Sequence, residues 1–429
     1  MNFAMRVRAA FLLAVLATLA PLSGAALRLA QAAAQDAGSA TEHLDHAVAL
    51  GQAGDIDAAF AEVNRAIEID PQLARAFYVR GVLWTSKGNT GQAIADYDQA
   101  IKLDPKNAIA HINRGQLRAG KGEIDGALSD ADAAIKINPP AGVLAVAFLN
   151  RGNMNKAKGN LDLAKSDADR AIELNPRIAQ AYSNRGELLR LKHEFDGAIA
   201  DLDQAIRLSP RMADAYYNRG LVYSDRNDLD RSIPDYDQAI ANNPKMSVAY
   251  MARGNAYRGK GDIGRALTDL DAAIAIDPNY ALAYSNRGIA YNSAGKFDLA
   301  LKDFNRAIEI NPKEALYYSN RGESWRYKRE FEKAIADYDR AIEVNPQIYH
   351  PYLGRGLVRI QTRDYAKAIA EFDAALRLNP KSFQALTYRG LVKRKLGDAA
   401  GGNDDLAEAK AIDPAEPKLE QAAIKELGL

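Results

Sequence analysis

Residues 281–314 read ALAYSNRGIAYNSAGKFDLALKDFNRAIEINPKE, and the fold is decided here. Bulky Tyr284, Tyr291 and Phe304 alternate with small Gly288, Ala300 and Ala307 at spacings that suit two helices, not strands. A mid-helix glycine costs about 1 kcal/mol relative to alanine, so Gly288 points to a backbone contact that any larger side chain would block. Gly295 is placed to end the first helix in a left-handed turn. Asn311, standing before Pro312, is pushed out of the helical region and closes the second. The stretch therefore predicts helix, turn, helix.

Outward from this unit the same punctuation recurs. Prolines stand at Pro71, Pro105, Pro139, Pro176, Pro210, Pro244, Pro278, Pro312, Pro346, Pro380 and Pro414, and every interval is 34 except one of 37. A fixed period of this length predicts a solenoid of one repeated supersecondary unit. With each proline at repeat position 32, eleven units begin at Ala40, Ala74, Ala108, Ala145, Ala179, Ala213, Ser247, Ala281, Ala315, Tyr349 and Phe383. The longer interval becomes a three-residue insertion at Gly142, Val143 and Leu144, expected in a loop between repeats, where extra residues are tolerated. One hairpin cannot bury its apolar face alone, so the units must stack and the ends need caps. The first repeat, with its unusual His43 and His46, and residues 417–429 are expected to serve as those caps. Pro234, near the start of a second helix, predicts a mild kink and not a break.

The recurring aromatic at position 4, Gly at 8, Ala at 20 and 27 and Pro at 32 resemble the tetratricopeptide repeat over residues 40–416. The resemblance implies an all-α fold: a right-handed α-solenoid, or superhelix, of about eleven helix–turn–helix units, whose first helices line a concave groove that holds peptides or protein segments. One feature departs from the common pattern: position 7, usually leucine, is arginine at Arg80, Arg114, Arg151, Arg185, Arg219, Arg253, Arg287, Arg321, Arg355 and Arg389. The Asn-Arg of residues 286–287 is similar to the co-chaperone branch of that family.

Three ladders are candidates for function. The position 7 arginines face an acidic ladder at position 23, from Glu62 and Asp96 to Asp405, and a partly buried guanidinium needs a carboxylate, so structural ion pairs are expected. A cationic groove for an anionic ligand is the competing reading. At position 6 stand Asn113, Asn150, Asn184, Asn218, Asn286 and Asn320. Positions 2, 5, 6, 9, 12 and 13 of the first helix share one face, and an amide both donates and accepts, so it can hold a peptide backbone whatever the bound side chains. This ladder resembles the one in the repeat domain of O-linked N-acetylglucosamine transferase; the alternative is that the amides bridge neighbouring helices. On the same face lie Arg190, Arg258, Arg326 and Arg394 at position 12, with Lys156. They would favour acidic partners or form a solvated basic row. No lysine occupies position 5, so the pattern of chaperone-tail clamps is not met.

Composition narrows the classes. Lys+Arg number 56 and Asp+Glu 55, without the basic excess that phosphate-backbone binding requires, so nucleic acid is not an expected partner. Cysteine is absent, which removes disulfides, thiolate nucleophiles and cysteine metal sites. His43 and His46 lack further ligands for a metal, no phosphate loop or nucleophile elbow occurs, and Asp-x-Asp pairs belong to the repeat. No enzyme activity and no cofactor are expected.

Residues 1–34 differ from the rest: Arg6 and Arg8 precede an uncharged run from Ala9 to Leu27, with small-residue cleavage options after it. A secretory signal peptide is expected, followed by a short linker at 35–39. The alternative is a membrane anchor, since the run is just long enough to span. The sequence thus predicts an exported, periplasmic or secreted, scaffold for a peptide or protein ligand. The second reading is a cell-envelope assembly factor, held at the membrane only if this segment stays uncleaved, that binds an acidic polymer or cell-wall material.

Overall fold

The structure, a computed structural model, describes residues 34–413 and 416–427, among which every regular element is an α-helix. Contacts group the chain into two compact units, one within Met1–Asn218 and one within Arg219–Leu429. The first holds α1 (Ala34–Ala53), α2 (Ile56–Ile69), α3 (Ala74–Ser86), α4 (Thr90–Leu103), α5 (Ala108–Gly120), α6 (Ile124–Ile137), α7 (Ala141–Ala157), α8 (Leu161–Leu174), α9 (Ala179–Leu191) and α10 (Phe195–Leu208). Helix α11 (Ala213–Asp225) spans the division. The second unit continues with α12 (Leu229–Asn242), α13 (Ser247–Gly259), α14 (Ile263–Ile276), α15 (Ala281–Ser293), α16 (Phe297–Ile310), α17 (Ala315–Tyr327) and α18 (Phe331–Val344). It ends with α19 (His350–Gln361), α20 (Tyr365–Leu378), α21 (Phe383–Lys395), α22 (Ala399–Ile412) and α23 (Glu416–Leu427). Odd and even helices up to α22 are the first and second members of the hairpins, and within each unit a hairpin packs on the next in sequence. Each unit is an α-solenoid.

The turn inside each hairpin has one geometry. Position 15 has positive φ in every repeat: Gly54, Gly88, Gly122, Gly159, Gly261, Gly295 and Gly397 lie between 71° and 95°. Where glycine is missing, His193, Asn227, Arg329 and Arg363 take φ of 59° to 64°. An ordinary side chain in that region costs about 1–2 kcal/mol, so packing of the two helices closes the turns at Arg329 and Arg363, while Asn227 and His193 are residue types that tolerate it.

That packing follows the small and large residues. A Cβ on Gly81 would lie 2.7 Å from the ring of Tyr97, on Gly220 2.6 Å from Tyr236 and on Gly288 2.8 Å from Phe304. The position 27 alanines, such as Ala66, Ala205 and Ala307, are wholly buried. First helices touch the first helices of neighbouring hairpins, as α5 does α7 and α17 does α19, whereas second helices approach one another far less. The closer layer is the inner side of the bend, so each unit presents its first helices on a concave face.

Two expectations change. The insertion at Gly142, Val143 and Leu144 is not a loop: α7 starts at Ala141, directly after Pro140, and the extra residues lengthen its first turn without altering the phase of the later repeats. The stretch 35–39, expected as a linker, lies in α1, with no proline near to break the helix. Helix α12 runs through Pro234 without a break, although its ladder has already begun with Ser232 N donating to Asp228 O, so the proline leaves out one backbone hydrogen bond. His43 and His46 face Glu62, with His43 Nδ1 2.6 Å and His46 Nδ1 3.4 Å from its carboxylate, so the first repeat replaces the arginine–carboxylate pair with histidines. At the other end, Ala423 of α23 is buried with Leu391 and Leu406. The expected signal peptide or anchor lies outside the described residues, and among those described no helix is long and apolar enough to cross a membrane.

Candidate functional site

The arginine ladder is taken up by the framework. Arg80 donates from Nε and Nη2 to both oxygens of Asp96 at 2.8 and 2.7 Å. Arg185 does so to Asp201, Arg253 to Asp269, Arg287 to Asp303, Arg321 to Asp337 and Arg389 to Asp405. Arg114, Arg151, Arg219 and Arg355 pair likewise with Asp130, Asp167, Asp235 and Glu371. The third arm reaches back to position 25 of the preceding repeat: Arg287 Nη1 to Asp271 at 2.6 Å, Arg389 to Asp373 at 2.6 Å and Arg321 to Asn305 at 2.7 Å. Every arginine with such a third arm joins its own two helices and staples the hairpin to its predecessor. Seven also lie over the position 4 aromatic of the same helix, as Arg253 does over Tyr250 at 5.6 Å. This settles the ladder as structural. The Asp-x-Asp recurrence was its sequence signal, because the second acid serves the next repeat.

Two of these pairs, at Asp130 and Asp405, shape the acid response, whereas at Asp303 burial wins and raises the carboxyl. Burial alone would raise the Asp405 carboxyl, but hydrogen bonds from Arg389 and Lys393 outweigh it and hold the group below its ordinary value. Asp130, among His111, Arg114 and Arg118, is lowered in the same way. A carboxyl depressed in the folded state contributes stability that is complete above its unfolded pKa of about 3.9 and disappears as pH falls through the folded value. Urea unfolding midpoints are therefore expected to stay level from neutral pH to about 5 and to drop below about 4; Asp405→Asn should flatten part of that drop.

With the ladder occupied, the face left for a ligand is that of the first helices. Asn113, Asn184, Asn218 and Asn286 lie on its floor, only 8–9% exposed, while Asn150 and Asn320 are half-buried. Three of them bridge to the preceding repeat. Asn184 Nδ2 donates to Asn153 Oδ1 at 2.7 Å while its Oδ1 accepts from Gln180 at 2.8 Å. Asn150 Oδ1 accepts from Gln116 at 3.4 Å and Asn320 Nδ2 donates to Ser285 Oγ at 3.4 Å. The bridging alternative thus holds for these three amides, and only in part for Asn150, whose Nδ2 is buried without a partner. Beside Asn153 and Asn184 lies a void of about 10 Å³, no more than one water needs.

The position 12 row divides. Arg326, expected to face a ligand, is instead 4% exposed, with Nη2 2.6 Å from Glu323 Oε1. Tyr338 OH donates to the other oxygen of Glu323 at 3.0 Å. The charge at position 9 of its own helix draws Arg326 into the packing, which removes it from the candidate set. Lys156 pairs with Glu187 at 2.7 Å and Arg394 with Glu420 at 3.3 Å. Arg190 lies close enough to Tyr217 to influence its hydroxyl. Arg258 is half-buried on α13, where the position 9 residue is Asn255 and not an acid. At the opposite end of the same face Leu282 and Leu316 are 44% and 41% exposed. Among the described residues no cluster of three or more histidines and carboxylates is arranged for a metal.

Comparison with protein-family models gives matches to the tetratricopeptide repeat at residues 213–246 and 281–314, to the TPR repeat at 83–122, 186–225 and 254–293, and to a further tetratricopeptide-repeat model at 149–201, 319–383 and 353–417. Together they span most of the chain. No curated protein sequence matches. Among solved structures, yeast Tom70 is 18% identical, with 92% of this chain and 96% of that one covered and a TM-score of 0.48. A tetratricopeptide repeat protein from Parabacteroides merdae is 18% identical, covering 58% and 98%, with a TM-score of 0.49. YrrB, described as a TPR protein with an unusual peptide-binding site, is 24% identical, covering 44% and 95%, with a TM-score of 0.34.

Proposed function

Because this chain belongs to the tetratricopeptide-repeat family, whose fold is that of a protein-interaction scaffold, we propose that it is a non-enzymatic adaptor holding an extended peptide or protein segment against the concave face of its first helices. The observation that carries this reading is the division of labour among the ladders. The position 7 arginines and position 23 acids are consumed in pairs, whereas the first-helix face combines amides with the exposed Leu282 and Leu316. An amide floor with apolar flanks is what an extended chain needs: backbone hydrogen bonds and somewhere to bury a side chain. The proposal extends to export, to a periplasmic or secreted location, on the strength of Arg6, Arg8 and the uncharged run from Ala9 to Leu27.

The test is selection of binders from a random unstructured-peptide library, followed by affinity measurement on the triple variant Asn113→Ala, Asn184→Ala, Asn218→Ala, whose three amides belong to one unit. Each hydrogen bond is worth about 1 kcal/mol, so loss of two or three should weaken binding roughly ten- to hundredfold, with the helical circular dichroism kept. Equal affinity with an unaltered spectrum would remove the amides from the site. Failure to select any binder would refute the adaptor reading.

A further inference from the structure

Repeats seven and nine provide an internal comparison. In α17 position 9 is Glu323 and position 12 is Arg326, and the two pair and bury. In α13 the corresponding residues are Asn255 and Arg258. Arg258 makes no ion pair with any described carboxylate, and its Nε is buried without a hydrogen-bond partner. Burial lowers its pKa with no acid nearby to compensate. One turn back, Asn255 donates from Nδ2 to Met251 Sδ at 3.2 Å, and its Oδ1 is also buried without a partner. A half-desolvated guanidinium without an anion and a carbonyl oxygen without a donor are each costly. They stand three residues apart on the concave side of one helix.

We propose that Arg258 and Asn255 form a carboxylate-reading subsite, in which an aspartate or glutamate side chain of a bound extended peptide accepts from the Arg258 guanidinium while the Asn255 amide turns from Met251 to accept a peptide N–H at Oδ1. The inference rests on the reading of the concave face as peptide-binding. One acidic residue of an extended chain carries both groups, a carboxylate and a backbone N–H a few ångströms apart, so it answers both deficits at once. Charge complementarity selects the acid over its amide, because the repeat supplies no internal counter-ion of the kind Glu323 gives Arg326. Exposed Leu282 lies ten positions back in register but on the next first helix, α15, about 15 Å along the axis and about 10 Å across, roughly 18 Å in all. An apolar residue about five positions from the acid would reach Leu282 in an extended chain.

The probe is a labelled, C-amidated dodecapeptide of alanine, serine and glutamine carrying one leucine and one glutamate five residues apart, measured by fluorescence anisotropy on the full chain. The glutamate peptide should bind at least tenfold more tightly than its glutamine counterpart. Arg258→Gln should abolish that preference. Asn255→Glu should abolish it too, by giving Arg258 the internal partner that Arg326 has, while keeping or raising the unfolding midpoint, so a folding defect cannot imitate the result. Arg170→Gln, on a second helix and paired with Glu173, should leave the preference in place. Equal binding of the glutamate and glutamine peptides would overturn the subsite while leaving the adaptor reading intact. A glutamate-free peptide with a free C-terminal carboxylate binding as tightly would overturn the side-chain assignment. No binding by either peptide, when library-selected peptides do bind, would overturn the subsite; no binding by any peptide would overturn both readings.

Discussion

Asp337→Ala is expected to cost about 3–5 kcal/mol in local stability, the penalty for leaving a paired, largely buried charge without its partner. Asp337 accepts two hydrogen bonds from Arg321, at 2.8 and 2.6 Å, and the third arm of Arg321 reaches only the neutral Asn305. With the carboxylate gone, no acid takes its place. Asp269→Ala should cost less, because Arg253 keeps an ion pair with Asp237. The ordering Asp337 above Asp269 is the discriminating result, and equal losses would mean that the second acid does nothing. A solenoid unfolds by neighbouring units and not all at once, so hydrogen exchange resolved along the chain is the proper measurement. Protection should fall in α17 and α18 and in the hairpins on either side, and persist in α1 to α4.

Gly390→Ala should cost about 1–3 kcal/mol, the usual penalty for overpacking a filled interface. A Cβ there would stand 2.8 Å from the backbone carbonyl oxygen of Gly402 and 3.1 Å from Leu406. At Gly288 the obstacle is the ring of Phe304, a side chain that can turn; at Gly390 it is main chain of the facing helix, so α21 and α22 must separate. The expected sign is loss of the last hairpin together with the buried contact of Ala423, seen as exposure of the C-terminal segment to proteolysis at temperatures where the rest stays folded. Gly51→Ala is the control. Its Cβ would meet Leu83 at an ordinary 3.5 Å, and alanine is the better helix former by about 1 kcal/mol, so that variant should be neutral or more stable.

The ladders show how far one-dimensional information reaches. Positions that recur in step, such as Gly288 against Phe304 or Arg287 against Asp303, are legible because the same contact is made in repeat after repeat, and repetition turns a packing requirement into a visible period. Residues whose role rests on a single exception are not. Glu323 and Asn255 occupy the same repeat position, and neither belongs to any ladder. Arg258 and Arg326 look like members of one basic row because their spacing is identical. The insertion before Ala145 misleads for a similar reason: three residues beside two prolines resemble a loop until the helix that absorbs them is seen.

What the sequence determined by itself is the hairpin, its number and its order of stacking, because small and bulky residues must coincide at every helix contact and a 34-residue period admits one such arrangement. The tertiary structure alone decided which charges remain for a ligand. An arginine's availability depends on whether a carboxylate lies within about 3 Å after folding, and that distance is set by side-chain packing across helices and repeats, a quantity that no spacing along the chain contains.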